Sequence, residues 1–80
     1  MTTIGANHRK MDFTFAQRLE QLMKERKLKA NDVQRLTGVH CQCIYEYVQG
    51  VKQPNAFNIK RIAKGLKVSS DWLLGLSEKR

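Results

Sequence analysis

The chain has 80 residues, enough for one small domain and too few for a second independent core. Fifteen Lys and Arg against seven Asp and Glu leave a net charge of +8, and 41% of residues are hydrophobic, so a core can form. This size argues against a cofactor-dependent enzyme, so no cofactor is expected, and no apolar run approaches the roughly 20 residues of a membrane span. Residues 1–10 lack the hydrophobic stretch of a secretory signal. Two cysteines, Cys41 and Cys43, are too few for a disulfide scaffold and suit a reducing cytoplasm. What remains is a small basic binding module.

The charge is unevenly placed. Residues 1–30 carry seven positive and three negative side chains, and residues 51–80 carry seven and two. Residues 31–50 hold only Arg35 against Asp32 and Glu46. Basic flanks around a near-neutral centre suit a protein that grips phosphates with its edges. A solvated Lys-rich surface would give the same count.

In chain order, residues 1–12 show no apolar periodicity and read as a flexible basic arm. A first helix opens at Thr14, where Thr14-x-x-Gln17 has the capping-box pattern, and ends near Lys27. Its apolar residues are Phe15, Leu19, Leu22 and Met23, with Leu28 packing back on the core. A second helix covers Ala30 to Thr37, with Val33 and either Leu36 or Thr37 facing inward. Gly38 supplies a left-handed turn, Val39 plugs it, and His40 caps a third helix from Cys41 to Gln49. That helix buries Ile44, Tyr47 and Val48 and stops at Gly50. Asn55 caps a fourth helix carrying Ile59, Ile62, Ala63 and Leu66, and Ser69 caps a fifth with Trp72, Leu73 and Leu76 inside. No segment alternates like a strand, so the expected fold is all-α with five helices over 13–76. Residues 77–80 read as a basic tail or the start of a linker.

The few residues around Gly38 force helices two and three to cross steeply, which leaves the third helix prominent. An exposed helix of that size fits the major groove of B-DNA, where base edges are distinguishable.

These elements also carry a resemblance. The opening Arg18-Leu19, the stretch Val33-x4-Gly38-Val39 with Ile44, and Gly50-x3-Pro54 follow one another in order. Ile59-x2-Ile62-Ala63-x2-Leu66 and Val68-Ser69-x-Asp71-Trp72-Leu73-Leu74 complete the set. Over Gln17–Leu74, about three quarters of the chain, it resembles the lambda-repressor/Cro-type, or Xre-like, helix-turn-helix domain. The resemblance implies a cytoplasmic transcriptional repressor of phage or mobile-element type, working at the bacterial nucleoid or in a phage-infected cell. It also implies a double-stranded operator, palindromic and bound by a homodimer, with no membrane partner.

Carried over by position, the base-facing residues are His40, Cys41, Gln42, Tyr45 and Glu46. Gln42 suits adenine, Glu46 suits cytosine N4, and Cys41 suits a thymine methyl. The phosphate-facing set is Lys29, Arg35, Cys43, Gln49, Lys52, Gln53 and Asn55, with Arg9 and Lys10 added if the arm folds onto DNA. Trp72, Leu73, Leu74 and Leu76 form an apolar chain end suited to pairing two copies, although Trp72 also reads as a core aromatic.

The chain departs from the family pattern in three places. Ala30 replaces a phosphate-binding glutamine, Lys29 replaces a capping Ser or Thr, and Gln34 replaces a small alanine, tilting the helix pair or facing solvent. Residues 40–49 also contain no Lys or Arg. The missing glutamine at Ala30, the acidic Glu46 and the neutral third helix favour an alternative reading, a protein-interaction module or antitoxin on the same fold with little DNA affinity. A metal site at His40-Cys41-x-Cys43 is not expected, because zinc needs about four converging ligands and residues two apart leave a helix on different faces. Cys41 at a helix start suits either redox sensing or simple space filling. Phe57 lies off the apolar stripe of helix four, as a partner contact or a plain surface residue.

Overall fold

In the computed structural model, which describes residues 12–80, the chain forms five helices and, among those residues, no strand. They are α1 (Thr14–Glu25), α2 (Ala30–Thr37), α3 (Cys41–Val48), α4 (Ala56–Leu66) and α5 (Ser70–Leu74). The expected arm, with Arg9 and Lys10, falls outside the described residues except for Asp12.

The start of α1 differs from expectation. Phe13 occupies the cap position, its carbonyl accepting from Gln17 N–H at 2.9 Å, and the Thr14 hydroxyl does not cap. The carboxylate of Asp12 accepts from Thr14 N–H at 2.9 Å instead, which holds the Asp12 carboxyl below its usual range. A carboxylate is the stronger acceptor and is also favoured by the positive end of the helix dipole. At the other end α1 stops two residues early, because Lys27 turns left-handed (φ 56°) and Leu28 N–H closes onto the Met23 carbonyl at 2.8 Å.

Lysine cannot accept a hydrogen bond, so Lys29 contributes no side-chain cap to α2. Asp32 serves that helix start by accepting from Lys29 N–H at 2.8 Å, and that bond holds its carboxyl down. At the far end Leu36 points outward, 52% exposed, and Thr37 turns in. The Thr37 hydroxyl donates to the Val33 carbonyl (2.7 Å) and accepts from Val39 N–H (3.1 Å). Gly38 then adopts φ 80° and Val39 is buried at the turn.

The remaining caps follow the expected pattern. His40 Nδ1 accepts from Gln42 N–H, Asn55 Oδ1 from Asn58 N–H, and Ser69 Oγ from Trp72 N–H. Each supplies the acceptor that a helix N-terminus lacks.

The core joins all five helices around Leu19, Leu22, Val33, Ile44, Ile62, Leu66 and Leu73. Phe15 meets Tyr47 edge to face at 5.9 Å, and the Tyr47 hydroxyl accepts from Asn58 Nδ2 at 2.8 Å. Trp72 and Leu73 are core residues, with Leu73 fully buried. Leu76 lies outside it, because Gly75 turns left-handed (φ 83°) and ends α5 before Leu76 can continue the inner face.

Residues 77–80, expected as a tail, run back along the domain. Arg18 donates to the carbonyls of Trp72 (2.6 Å) and Ser77 (3.0 Å) and pairs with Glu78. Arg80 grips the Glu25 carboxylate with two bonds of 2.8 and 2.9 Å. The guanidinium groups of Arg18 and Arg80 both stack on Trp72, 4.9 and 4.6 Å from the ring centroid.

The Arg80 bonds, then the amide of Gln21, hold the Glu25 carboxyl down from 4.5 to about 2. A depressed carboxyl stabilises the fold above its ordinary pKa and loses that contribution as pH falls toward its folded value. Thermal melts should therefore show the wild-type chain losing more stability than Arg80→Met between pH 4.5 and about 2. Parallel losses would mean that this exposed pair adds nothing to stability.

Candidate nucleic-acid interface

The third helix is held at its start by a bond that sequence periodicity does not reveal. The Gln34 amide oxygen, on α2, accepts from Cys41 N–H at 2.9 Å. The Gln34 amide is thus not simply turned to solvent; it joins the two helices across the turn. Ile44 and Tyr47 fasten the inner side of α3 to the core.

The opposite side of α3 carries Gln42 and Tyr45, and Gln49, the residue that caps its end, continues the same face at spacings of three and four, all three exposed. His40 is exposed beside them, although its Nδ1 is committed to the cap. Cys41 and Cys43 are free thiols, half-buried and packed against the core, so neither stands out from this face as Gln42 and Tyr45 do. The Glu46 side chain is only 24% exposed, and its carboxylate lies 3.6 Å from Lys52 Nζ.

Of the expected phosphate-facing residues, Lys29, Arg35, Gln49, Lys52, Gln53 and Asn55 are exposed. Several already have partners within the chain. Arg35 pairs with Asp32, Lys52 with Glu46, Gln53 Nε2 donates to the Asp12 carbonyl at 3.3 Å, and Asn55 caps α4. One cation near the turn was missed from sequence. Arg61 lies over the exposed Phe57 ring at 4.4 Å and extends Nη1 to the Gly38 carbonyl at 3.4 Å. The signal was present, since Phe57 and Arg61 stand four apart and meet on one helix face.

At the chain end, burial removes Trp72 and Leu73 from any pairing surface and leaves Leu74 (38% exposed) and Leu76 (75%). Leu74 borders a cavity of about 360 Å³ between α4 and α5, floored by Ala56, Ile59 and Ala63 and edged by Lys60 and Lys64. No helix among the described residues is long and apolar enough to cross a membrane.

Two crossed helices joined at a left-handed glycine, the second presented outward from a five-helix support, define a helix-turn-helix domain. A family profile described as Helix-turn-helix matches residues 19–73, and the chain belongs to that family. Its fold is lambda-repressor-like. Among solved structures it is similar to the crystal structure of the P22 c2 repressor protein in complex with synthetic operator 9T in the presence of Tl+. The two share 24% identity at a TM-score of 0.71, over 79% of this chain and 96% of that one. A search of curated proteins finds no match.

Proposed function

We propose that this chain is a DNA-binding transcription regulator, a repressor of phage or mobile-element type, which reads the major groove of duplex DNA with α3. The observation that carries this reading is the division of α3 into two sides. Ile44 and Tyr47 anchor one side, and Gln42, Tyr45 and Gln49 project from the other. A helix start tied to α2 through Gln34 gives those side chains the fixed register that base recognition needs.

Gln42 is the principal base reader, with Tyr45 beside it and His40 and Cys41 at the border. Lys29, Arg35, Lys52, Gln53 and Asn55 face the backbone, Gln49 lies at the far end of the groove face, and Arg61 joins them beside the turn. Cys43 contributes packing. Two copies pair on a palindrome, with Leu74 and Leu76 at the contact and the cavity between α4 and α5 able to receive an apolar side chain from the partner. Two third helices about 34–36 Å apart would then meet half-sites one helical turn apart. The site of action is the bacterial nucleoid or DNA in a phage-infected cell.

Selecting bound sequences from random duplexes tests both parts. Gln42→Ala should weaken binding to the selected site by about 1–3 kcal/mol and leave random duplex almost unchanged. Equal losses on both would remove Gln42 from base reading. A selected site that is a single asymmetric half-site bound by one copy would dismiss the pairing. The charge-poor α3 favours a second reading, a protein-interaction module or antitoxin. That reading holds if the chain shows little duplex affinity even at low salt.

A further inference from the structure

We infer that Glu46 is a positioning residue for Lys52 rather than a base reader, and that its carboxylate restrains affinity for duplex DNA of any sequence. The inference rests on the DNA-binding reading above. Glu46 is the only charged side chain on α3, so its role sets the electrostatics of the whole reading surface. Three contacts tie it to the loop that leaves the helix. Its backbone carbonyl accepts from the N–H groups of Val51 (3.0 Å) and Lys52 (3.4 Å), and its carboxylate lies 3.6 Å from Lys52 Nζ. The path of the loop and the position of the ammonium group therefore both refer to one residue.

The two partners differ in exposure. The Glu46 side chain is 24% exposed and that of Lys52 is 64% exposed. A half-buried carboxylate already facing an ammonium group is poorly presented to a cytosine amine. The exposed ammonium group, held at a defined place beyond the end of α3, is well presented to a phosphate. Its charge is nevertheless shared with Glu46, and a carboxylate close behind it repels the phosphate that it approaches. Lys52 thus yields less than a full counterion-releasing contact. A single head then holds random duplex weakly, which leaves tight binding to depend on base contacts and on pairing.

The test compares wild type, Glu46→Gln, Lys52→Met and the double variant on the selected site and on a random duplex. Binding is measured between about 50 and about 200 mM salt. Glutamine keeps the shape of Glu46, and thermal melts establish that each variant is folded. Glu46→Gln should tighten binding to both duplexes by the same factor, about 3–10-fold near 0.1 M salt, and steepen the salt slope by about 1. The base preference in a repeat selection should not change. In the Lys52→Met background the gain should vanish.

Weaker binding of Glu46→Gln to the selected site with a changed preference at one base pair would make Glu46 a base reader and overturn the inference. An undiminished gain in the Lys52→Met background would also overturn it, because the carboxylate would then act without Lys52. So would no change in affinity or slope. Failure of the wild-type chain to bind any duplex at low salt would instead remove the DNA-binding reading, and this inference with it.

Discussion

Replacing Ile44 with alanine should lower the unfolding free energy by about 2–5 kcal/mol, because a fully buried branched side chain leaves both lost burial and a cavity. For an 80-residue domain, whose stability is on the order of 4–12 kcal/mol, that is a large share. The effect concentrates on α3. With only eight residues it is too short to be stable alone, so its order comes from the packing of its inner face. Urea titration should show a lower midpoint at an unchanged slope, with Ile44→Val costing about 0.5–1.5 kcal/mol. A loss below about 1 kcal/mol for the alanine variant would mean that the core closes over the vacancy, and that α3 is held mainly by Gln34 and Tyr47.

Gly65→Ala should destabilise by about 3 kcal/mol, against the usual direction for this change in a helix, where alanine is favoured by about 1 kcal/mol. A Cβ at position 65 would press on the Leu36 carbonyl oxygen and lie 2.8 Å from Thr37 Cα and 2.7 Å from its Cγ2. These are mostly backbone atoms at the end of α2, which cannot swing aside like the tip of a side chain. Relief requires α2 to move away from α4, and the turn at Gly38 moves with it. The same variant should therefore weaken DNA binding beyond what its fraction unfolded explains. Gly38→Ala is the useful contrast. No atom lies within 4 Å of a Cβ there, so its cost comes from the φ of 80° alone, about 1–2 kcal/mol. An unchanged or raised melting temperature for Gly65→Ala would show that α2 and α4 can separate freely.

What the amino-acid sequence determined by itself is what lies within one helical turn. The spacing of Ile59, Ile62, Ala63 and Leu66 places a helix and its buried side, and three of the four are buried as expected. Asn55 and Ser69 cap their helices, and Gly38 turns left-handed, because each choice is made among atoms two or three residues apart. The family resemblance is an ordered set of such local signals, which is why it was legible. Where one local signal competed with another, only the folded chain decided. The Asp12 carboxylate displaced Thr14 as the partner of the first helix start, and Thr37 rather than Leu36 turned inward because its hydroxyl found two backbone partners.

Tertiary structure alone settled every feature whose partners lie far apart or whose apolar residues outnumber the inner faces. The four apolar residues at the chain end could not all be inside: within α5 only Trp72 and Leu73 are buried, Leu74 stays exposed, and Gly75 ends the helix before Leu76. Gln34 meets Cys41 across a turn, Glu46 meets Lys52 through a loop, and Arg80 meets Glu25 fifty-five residues away. Long polar side chains such as these have many partners open to them in sequence. Which ones each takes is fixed only when the core has set the helices at their angles and brought distant segments within reach.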